Sequence, residues 1–271
     1  MRGALVGLCA ALLLVAAGGC GGGSDAANPT TTVRQLRQFR ILFPEGFTRV
    51  QMGARAGAVA KIAERESHRK VKLSGTAYAA ATAKPRAFPG FGAKPLEGFL
   101  FPDTFDFDRK TTAAQLVQNQ LGEFTSEWGR LNLSYAQSKN LTPYDVLTIA
   151  SMVEGEAQVP SERPLVAAVI YNRLHAHMPL GIDATLRYGL HVPPTQPLTQ
   201  SELQNPTPYN TRLHDGLPPT PINNPGIAAL DAAANPAKVD YLYFVRKPDH
   251  KHHYFTANYQ DFLQHEAQYG Y

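Results

Sequence analysis

Two carboxylates end an otherwise apolar stretch of this sequence: Val146 to Val153 runs without a charge into Glu154-Gly155-Glu156. An acid at the end of a buried helix must be hydrogen-bonded, paired or kept protonated, because a bare charge is costly to bury. A carboxyl that keeps its proton near neutrality is what general acid catalysis needs. At about 100° per residue the two glutamates point to nearly opposite sides of a helix. They are therefore no facing pair: one can line a cleft while the other accepts backbone or Arg hydrogen bonds. A structural ion pair of Glu154 with Arg163 or Arg173 is the plainer alternative.

Several elements must position these acids. Thr142-Pro143-Tyr144-Asp145 predicts the helix start, with Thr at the N-cap, Pro in the first turn and Asp three residues after the cap. Leu116, Val117, Leu121, Phe124 and Trp128 form a helical stripe within 111–131, which builds core. Ser161-Glu162-Arg163-Pro164 opens a further helix that leads into Tyr171-Asn172-Arg173-Leu174, and Ile182 to Leu190 follows a Met-Pro-Leu turn. Pro208 to Arg212 and Gly216 to Ile222 read as loops too polar and Pro-rich for core. Amides, hydroxyls and tyrosines on loops around one protected acid suit a carbohydrate cleft, since sugars offer hydroxyl edges and apolar faces.

The ends of the chain add less chemistry. Asp240 to Val245 and Lys251 to Phe255 read as two strands joined by a Lys-Pro-Asp turn. The run His250-Lys251-His252-His253 lacks acidic or Cys partners at ligand spacing, so no metal is expected, and no cofactor. His175 and His177 read as loop surface. Upstream, Ile41 to Phe47 reads as a short strand entering a Pro/Gly turn, and 50–69 as an Ala-rich helix. Leu96 to Phe105 is an aromatic-dense run that packs between modules, with turn and packing roles for Glu97 and Asp103.

The 271 residues are 44% apolar and 18% charged, enough for a sizeable core. Cys9 and Cys20 are the two cysteines, so the body after them has neither a disulfide framework nor a Cys-held metal. The net charge of +4 is uneven: residues 33–72 hold ten Lys/Arg against three Asp/Glu, and 73–271 fifteen against eighteen. A nucleic-acid partner is therefore not expected. The basic stretch is either a solvated face or a surface for anionic lipid or acidic wall polymers. Arg2 and the apolar run Ala4 to Ala17, too short to span a bilayer, read as an export signal. Ala17-Gly18-Gly19-Cys20 resembles the lipobox of bacterial lipoproteins, which implies lipid attachment at Cys20; an uncleaved anchor helix is the alternative. Residues 21–32 form a flexible tether.

One set of blocks has a family likeness. Ile149 to Glu156, Glu162-Arg163, Tyr171 to Leu174, Asp183-Ala184-Thr185 with Tyr188-Gly189, Tyr209-Asn210-Thr211, Gly216 to Pro219 and Asn235 to Lys238 closely resemble the endolytic murein transglycosylases, the MltG or YceG-like family. The resemblance runs from about Phe43 to the C-terminus. It implies that Glu154 is the catalytic acid/base, cleaving peptidoglycan glycan strands between N-acetylmuramic acid and N-acetylglucosamine to leave a 1,6-anhydro end. It also offers Glu156, Asn172, Asp183, Thr185, Tyr188, Tyr209, Asn210 and His253 as groups that orient Glu154 or hold sugar. Asp183 could equally be a turn cap, and His253 part of an exposed hairpin. The chain has Ala184 where the family commonly has Pro, and a shorter segment before Phe43.

The reading is an α+β chain. It comprises a leader or anchor (1–19), a tether (20–32), a small basic LysM-like α/β module (33–95) and a mixed α+β catalytic domain (96–271). The protein is expected at the outer face of the cell membrane, terminating nascent glycan strands, with peptidoglycan synthases as partners. The competing readings are a water-using muramidase and a non-catalytic peptidoglycan-binding lipoprotein.

Overall fold

The computed structural model describes residues 37–270. The leader, the lipid-attachment candidate Cys20 and the tether lie outside the described residues. From Phe39 the sequence alternates outward Arg40 with buried Ile41, and this pattern forms β1 (Phe39–Leu42). Thr48 and Gln51 then close a capping box on α1 (Arg49–Ser67), whose Met52, Ala56, Ala60 and Ala63 make one buried stripe. Next come α2 (Gly75–Ala81), capped by Ser74, and a small hairpin of β2 (Arg86–Phe88) with β3 (Gly92–Lys94). The chain returns along β1 as β4 (Thr104–Phe107), antiparallel, with Phe39 opposite Phe107 and Ile41 opposite Phe105.

The rest is mainly helical. In order it contains α3 (Ala113–Trp128), α4 (Ser134–Ser138), α5 (Pro143–Glu156), a single 3-10 turn (Pro160–Glu162) and α6 (Arg163–His175). Then follow α7 (Asp183–Leu190), α8 (Gln200–Leu203) and α9 (Ile227–Ala234). The antiparallel hairpin of β5 (Tyr243–Arg246) and β6 (His253–Thr256) leads into α10 (Tyr259–Tyr269). This is a mixed α+β architecture with three two-stranded ribbons among the described residues. No helix among them is long and apolar enough to cross a membrane.

The central element is α5. Thr142, Pro143 and Asp145 start it as expected, the Asp145 carboxylate accepting the Thr142 N–H at 2.8 Å. Every residue from Val146 to Val153 is buried, because α5 packs against α6, α7 and α9. The boundary expected at residue 95 falls inside a continuous core. Leu96, Phe99, Leu100 and Phe101 are buried together with Ile41 and Phe43 before them and Leu116 and Leu147 after them. The aromatic run binds its two sides into one apolar cluster. The pairing of β1 with β4 carries the N-terminal part on to Phe107.

The Pro-rich loops depart most from expectation. Asn210, Thr211, Ile222, Asn223 and Asn224 are all at most 5% exposed. Side-chain amides and hydroxyls take the place of a backbone ladder there, so polar composition did not keep these loops at the surface. Gly98 shows how tightly they pack. Its φ is +91°, and a Cβ would stand 2.7 Å from Pro221 Cγ and 3.2 Å from Leu147 Cδ2. Gly98→Ala should therefore cost about 3 kcal/mol by combining left-handed strain with overpacking, read as a lower urea midpoint.

Candidate active site

Glu154 lies in the last turn of α5, where the carbonyl end of the helix disfavours a negative charge. Its side chain is 8% exposed. The Gly226 N–H donates to Oε2 at 3.1 Å, and Arg163 Nη2 lies 3.8 Å from Oε1. The same Arg163 nitrogen lies 3.8 Å from Oε2 of Glu45, a half-exposed residue in the turn between β1 and α1. Burial raises the Glu154 carboxyl above the usual range and the neighbouring Glu45 adds to the rise, while the Gly226 amide and Arg163 oppose it. Arg163 is itself largely buried, and its Nε finds no acceptor. The ion pair weighed for Glu154 is thus present as a long contact, within a two-carboxylate arrangement around one guanidinium.

The loop before α9 builds this arrangement. Ile222 N–H donates to Ser151 Oγ at 3.0 Å, and Asn223 Nδ2 to the Ser151 carbonyl at 2.8 Å, which ties the loop to α5 one turn before Glu154. Asn224, fully buried, accepts from Gly98 N–H and Leu100 N–H at 2.9 Å each and donates to the Phe47 carbonyl and Glu97 Oε1. Its carbonyl also accepts from Gly46 N–H at 3.0 Å, which holds the Glu45 turn. The Glu45 carboxylate lies directly over the Gly226 Cα, in the space a Cβ there would take, so any larger residue would displace it. Glu97 also accepts the Arg49 N–H at the start of α1 (2.8 Å) and the Tyr188 hydroxyl (3.1 Å). Burial raises its carboxyl as well. It joins α1, α7 and the loop before α9, a larger part than the turn role expected of it.

Glu156 faces the other way, as the helix geometry requires. It is buried, accepts the Ala184 N–H at 3.2 Å, and burial raises its carboxyl too, against the pull of that amide. It lines a cavity of about 920 Å³ together with Gly155, Asp183, His253 and four arginines, Arg173, Arg187, Arg212 and Arg246. Glu154 is not part of that lining. Asp183 opens α7 and pairs with Arg212. His253 is buried on β6 and placed 2.8 Å from Glu162 through Nδ1, so it is not part of an exposed hairpin.

The other expected site residues hold the scaffold. Asn172 donates to the Val239 and Tyr241 carbonyls, Thr185 to the Ile182 carbonyl, and Asn210 to the Leu203 and Asn205 carbonyls. Tyr209 meets Thr220 through its hydroxyl at 2.8 Å, and its ring packs edge-on to Tyr188. None of these has a hydrogen bond to Glu154 among the described residues. The residues that do act on it, Gly226 and Arg163 by contact and Glu45 by its charge, lie in short turns or at a helix start. The available signals were Pro44-Glu45-Gly46 and Asn223-Asn224-Pro225-Gly226, two turn motifs placed far apart in sequence.

Comparison with known proteins matches this arrangement to one group. Over 155 residues the chain is 36% identical to an endolytic murein transglycosylase of Bacillus subtilis (strain 168), covering 56% of this chain and 42% of that protein. Over 173 residues it is 34% identical to an endolytic murein transglycosylase of Streptococcus pneumoniae (strain R6), covering 61% and 31%. It thus spans less than half the length of these curated relatives. The crystal structure of a yceG-like protein from Listeria monocytogenes superposes with a TM-score of 0.67 at 27% identity, covering 83% of this chain and 75% of that one. A profile described as the YceG-like family matches residues 24–268, nearly the whole sequence, so the chain belongs to the YceG-like family.

Proposed function

We propose that the chain is an endolytic lytic transglycosylase of peptidoglycan with Glu154 as its acid/base. The observation that carries this is the Glu154 carboxyl itself: buried at a helix end, its proton favoured, and oriented by one backbone N–H. The names of the relatives support the reaction class. In the forward step the Glu154 acid gives its proton to the glycosidic oxygen as the C1–O bond breaks. The resulting carboxylate takes the proton of the muramyl 6-hydroxyl while O6 closes onto C1, which leaves a 1,6-anhydro end and an acid ready for the next cut. Water supplies no atom. Arg163 and the Gly226 amide stabilise the carboxylate formed midway, while burial, with the charge of Glu45 adding to it, favours the protonated form of the resting acid.

Mass spectrometry of glycan strands treated with the purified protein tests this. Anhydro ends are expected. A reducing N-acetylmuramic acid end would overturn the reading in favour of a water-using muramidase. Glu45 also yields a pH prediction. Cleavage needs protonated Glu154, so it declines as pH rises through that raised pKa. Glu45→Gln removes a neighbouring negative charge, lowers the Glu154 pKa, and should move the alkaline limb of the rate profile to lower pH.

The surroundings of the enzyme belong to the same proposal. The basic charge of residues 33–72 supports a LysM-like role for the 33–95 stretch, facing anionic wall polymer or lipid. The apolar leader and Cys20 support attachment to the outer face of the cell membrane, beside the synthases whose strands it would cut.

A further inference from the structure

We infer that the arginine-lined cavity beside Glu156 is a subsite for the carboxylate-bearing peptide stem of the muramyl residue. The inference rests on the transglycosylase reading and names the part of the substrate this cavity takes. Gly155, the residue between the two glutamates, is part of its lining, on the side of the helix to which Glu156 turns.

Its charge is the first argument. Asp183 is answered by Arg212, while Arg173, Arg187 and Arg246 share the lining with Glu156, which is buried, and Glu266. Arg246 on β5 has neither an ion pair nor a side-chain hydrogen bond among the described residues. Arg173 donates through Nε and Nη1 to the carbonyls of Leu242, Pro179 and Leu180, and stacks on Tyr243. Arg187 donates through Nη1 to those of Pro193 and Gln196. Neutral carbonyls hold a guanidinium in place without cancelling its charge. Each of these two therefore keeps Nη2 as a fixed donor, the geometry that recognises carboxylates.

The second argument is the rest of the wall. Met178, Ile182, Phe244 and Leu263 supply apolar surface between the cations. A peptide stem presents small apolar side chains and several carboxylates within a few residues, whereas a stripped muramyl residue offers the three arginines only the single carboxylate of its lactyl group. A volume of about 920 Å³ accommodates a short peptide.

The test compares kcat/KM on peptide-bearing glycan strands with that on strands stripped by an amidase. The wild type should prefer the peptide-bearing strands by about tenfold, a factor of the size one charge-assisted contact supplies. Arg246→Gln should shrink that ratio to about twofold or less, and Arg187→Gln is the second variant should the first not fold. Equal use of both substrates by the wild type would overturn the inference, as would a variant that loses both rates in the same proportion. Competition by inorganic pyrophosphate without competition by free stem tetrapeptide would overturn it too. Calorimetry with the free tetrapeptide separates this from failure of the enzymatic reading. Binding to the wild type that weakens about tenfold in Arg246→Gln supports the subsite even where no anhydro product forms, and no binding to the wild type overturns it.

Discussion

Glu154→Gln should reduce glycan cleavage by about 10³-fold while the protein stays folded. Gln is nearly isosteric with Glu, and its amide oxygen can still accept the Gly226 N–H that holds Oε2. What it cannot do is give up a proton to the departing oxygen or receive one from the 6-hydroxyl, so both halves of the reaction lose their acid/base together. Glu156→Gln is the matched control. The amide oxygen can keep the Ala184 N–H, and the expected loss is within about tenfold. Product release measured side by side for the two variants decides between the acids. The reverse ranking would move the chemistry to Glu156 and its arginine-lined cavity. Equal activity of Glu154→Gln and wild type would leave a peptidoglycan-binding protein.

Asn224→Ala should be the most damaging change away from the acid, destabilising the protein by about 4 kcal/mol in urea unfolding. The truncation leaves the Gly98 and Leu100 N–H groups buried without an acceptor and removes a donor from the already buried Glu97. Because the Asn224 backbone also holds the Phe47 carbonyl and the Gly46 N–H, loosening the loop should release Glu45 and Gly226 from Glu154, and cleavage should fall with stability. Asn224→Asp sharpens the argument. Its carboxylate still accepts from Gly98 and Leu100 but faces the Phe47 carbonyl and Glu97 without a donor. The new carboxyl is buried beside an acid, so its folded pKa lies above its unfolded one. The protein should regain stability as pH falls below the carboxylate range and lose it as pH rises through that raised pKa. A pH-independent deficit would mean that packing, and not the hydrogen bonds, sets the cost.

Much of this molecule was legible before folding was considered. The cap at Thr142, the apolar run of α5, the acids that end it and the C-terminal hairpin are local features. Backbone propensity, capping and two simple periodicities determine them within about ten residues. The opposed directions of Glu154 and Glu156 follow from helix pitch alone. Likeness of the sequence blocks identified the family and put Glu154 forward as its acid.

Tertiary structure decided what surrounds that acid. Glu45 and Gly226 come from two separate turns and Arg163 from the start of α6, and no spacing rule links position 45 to 154 or 226. Their meeting depends on Asn224, whose side chain joins loops more than a hundred residues apart. Composition marked the Pro- and Asn-rich loops as surface because polar side chains usually seek water. In the fold those amides satisfy buried backbone groups, so the loops become the internal frame of the site. The polar residues Asn172, Thr185 and Asn210 serve the same end, and the arginines of the cavity converge from α6, α7, β5 and the loop after α8. Sequence put forward the group that could do acid chemistry; only long-range hydrogen bonding and burial decided which neighbours surround its carboxyl.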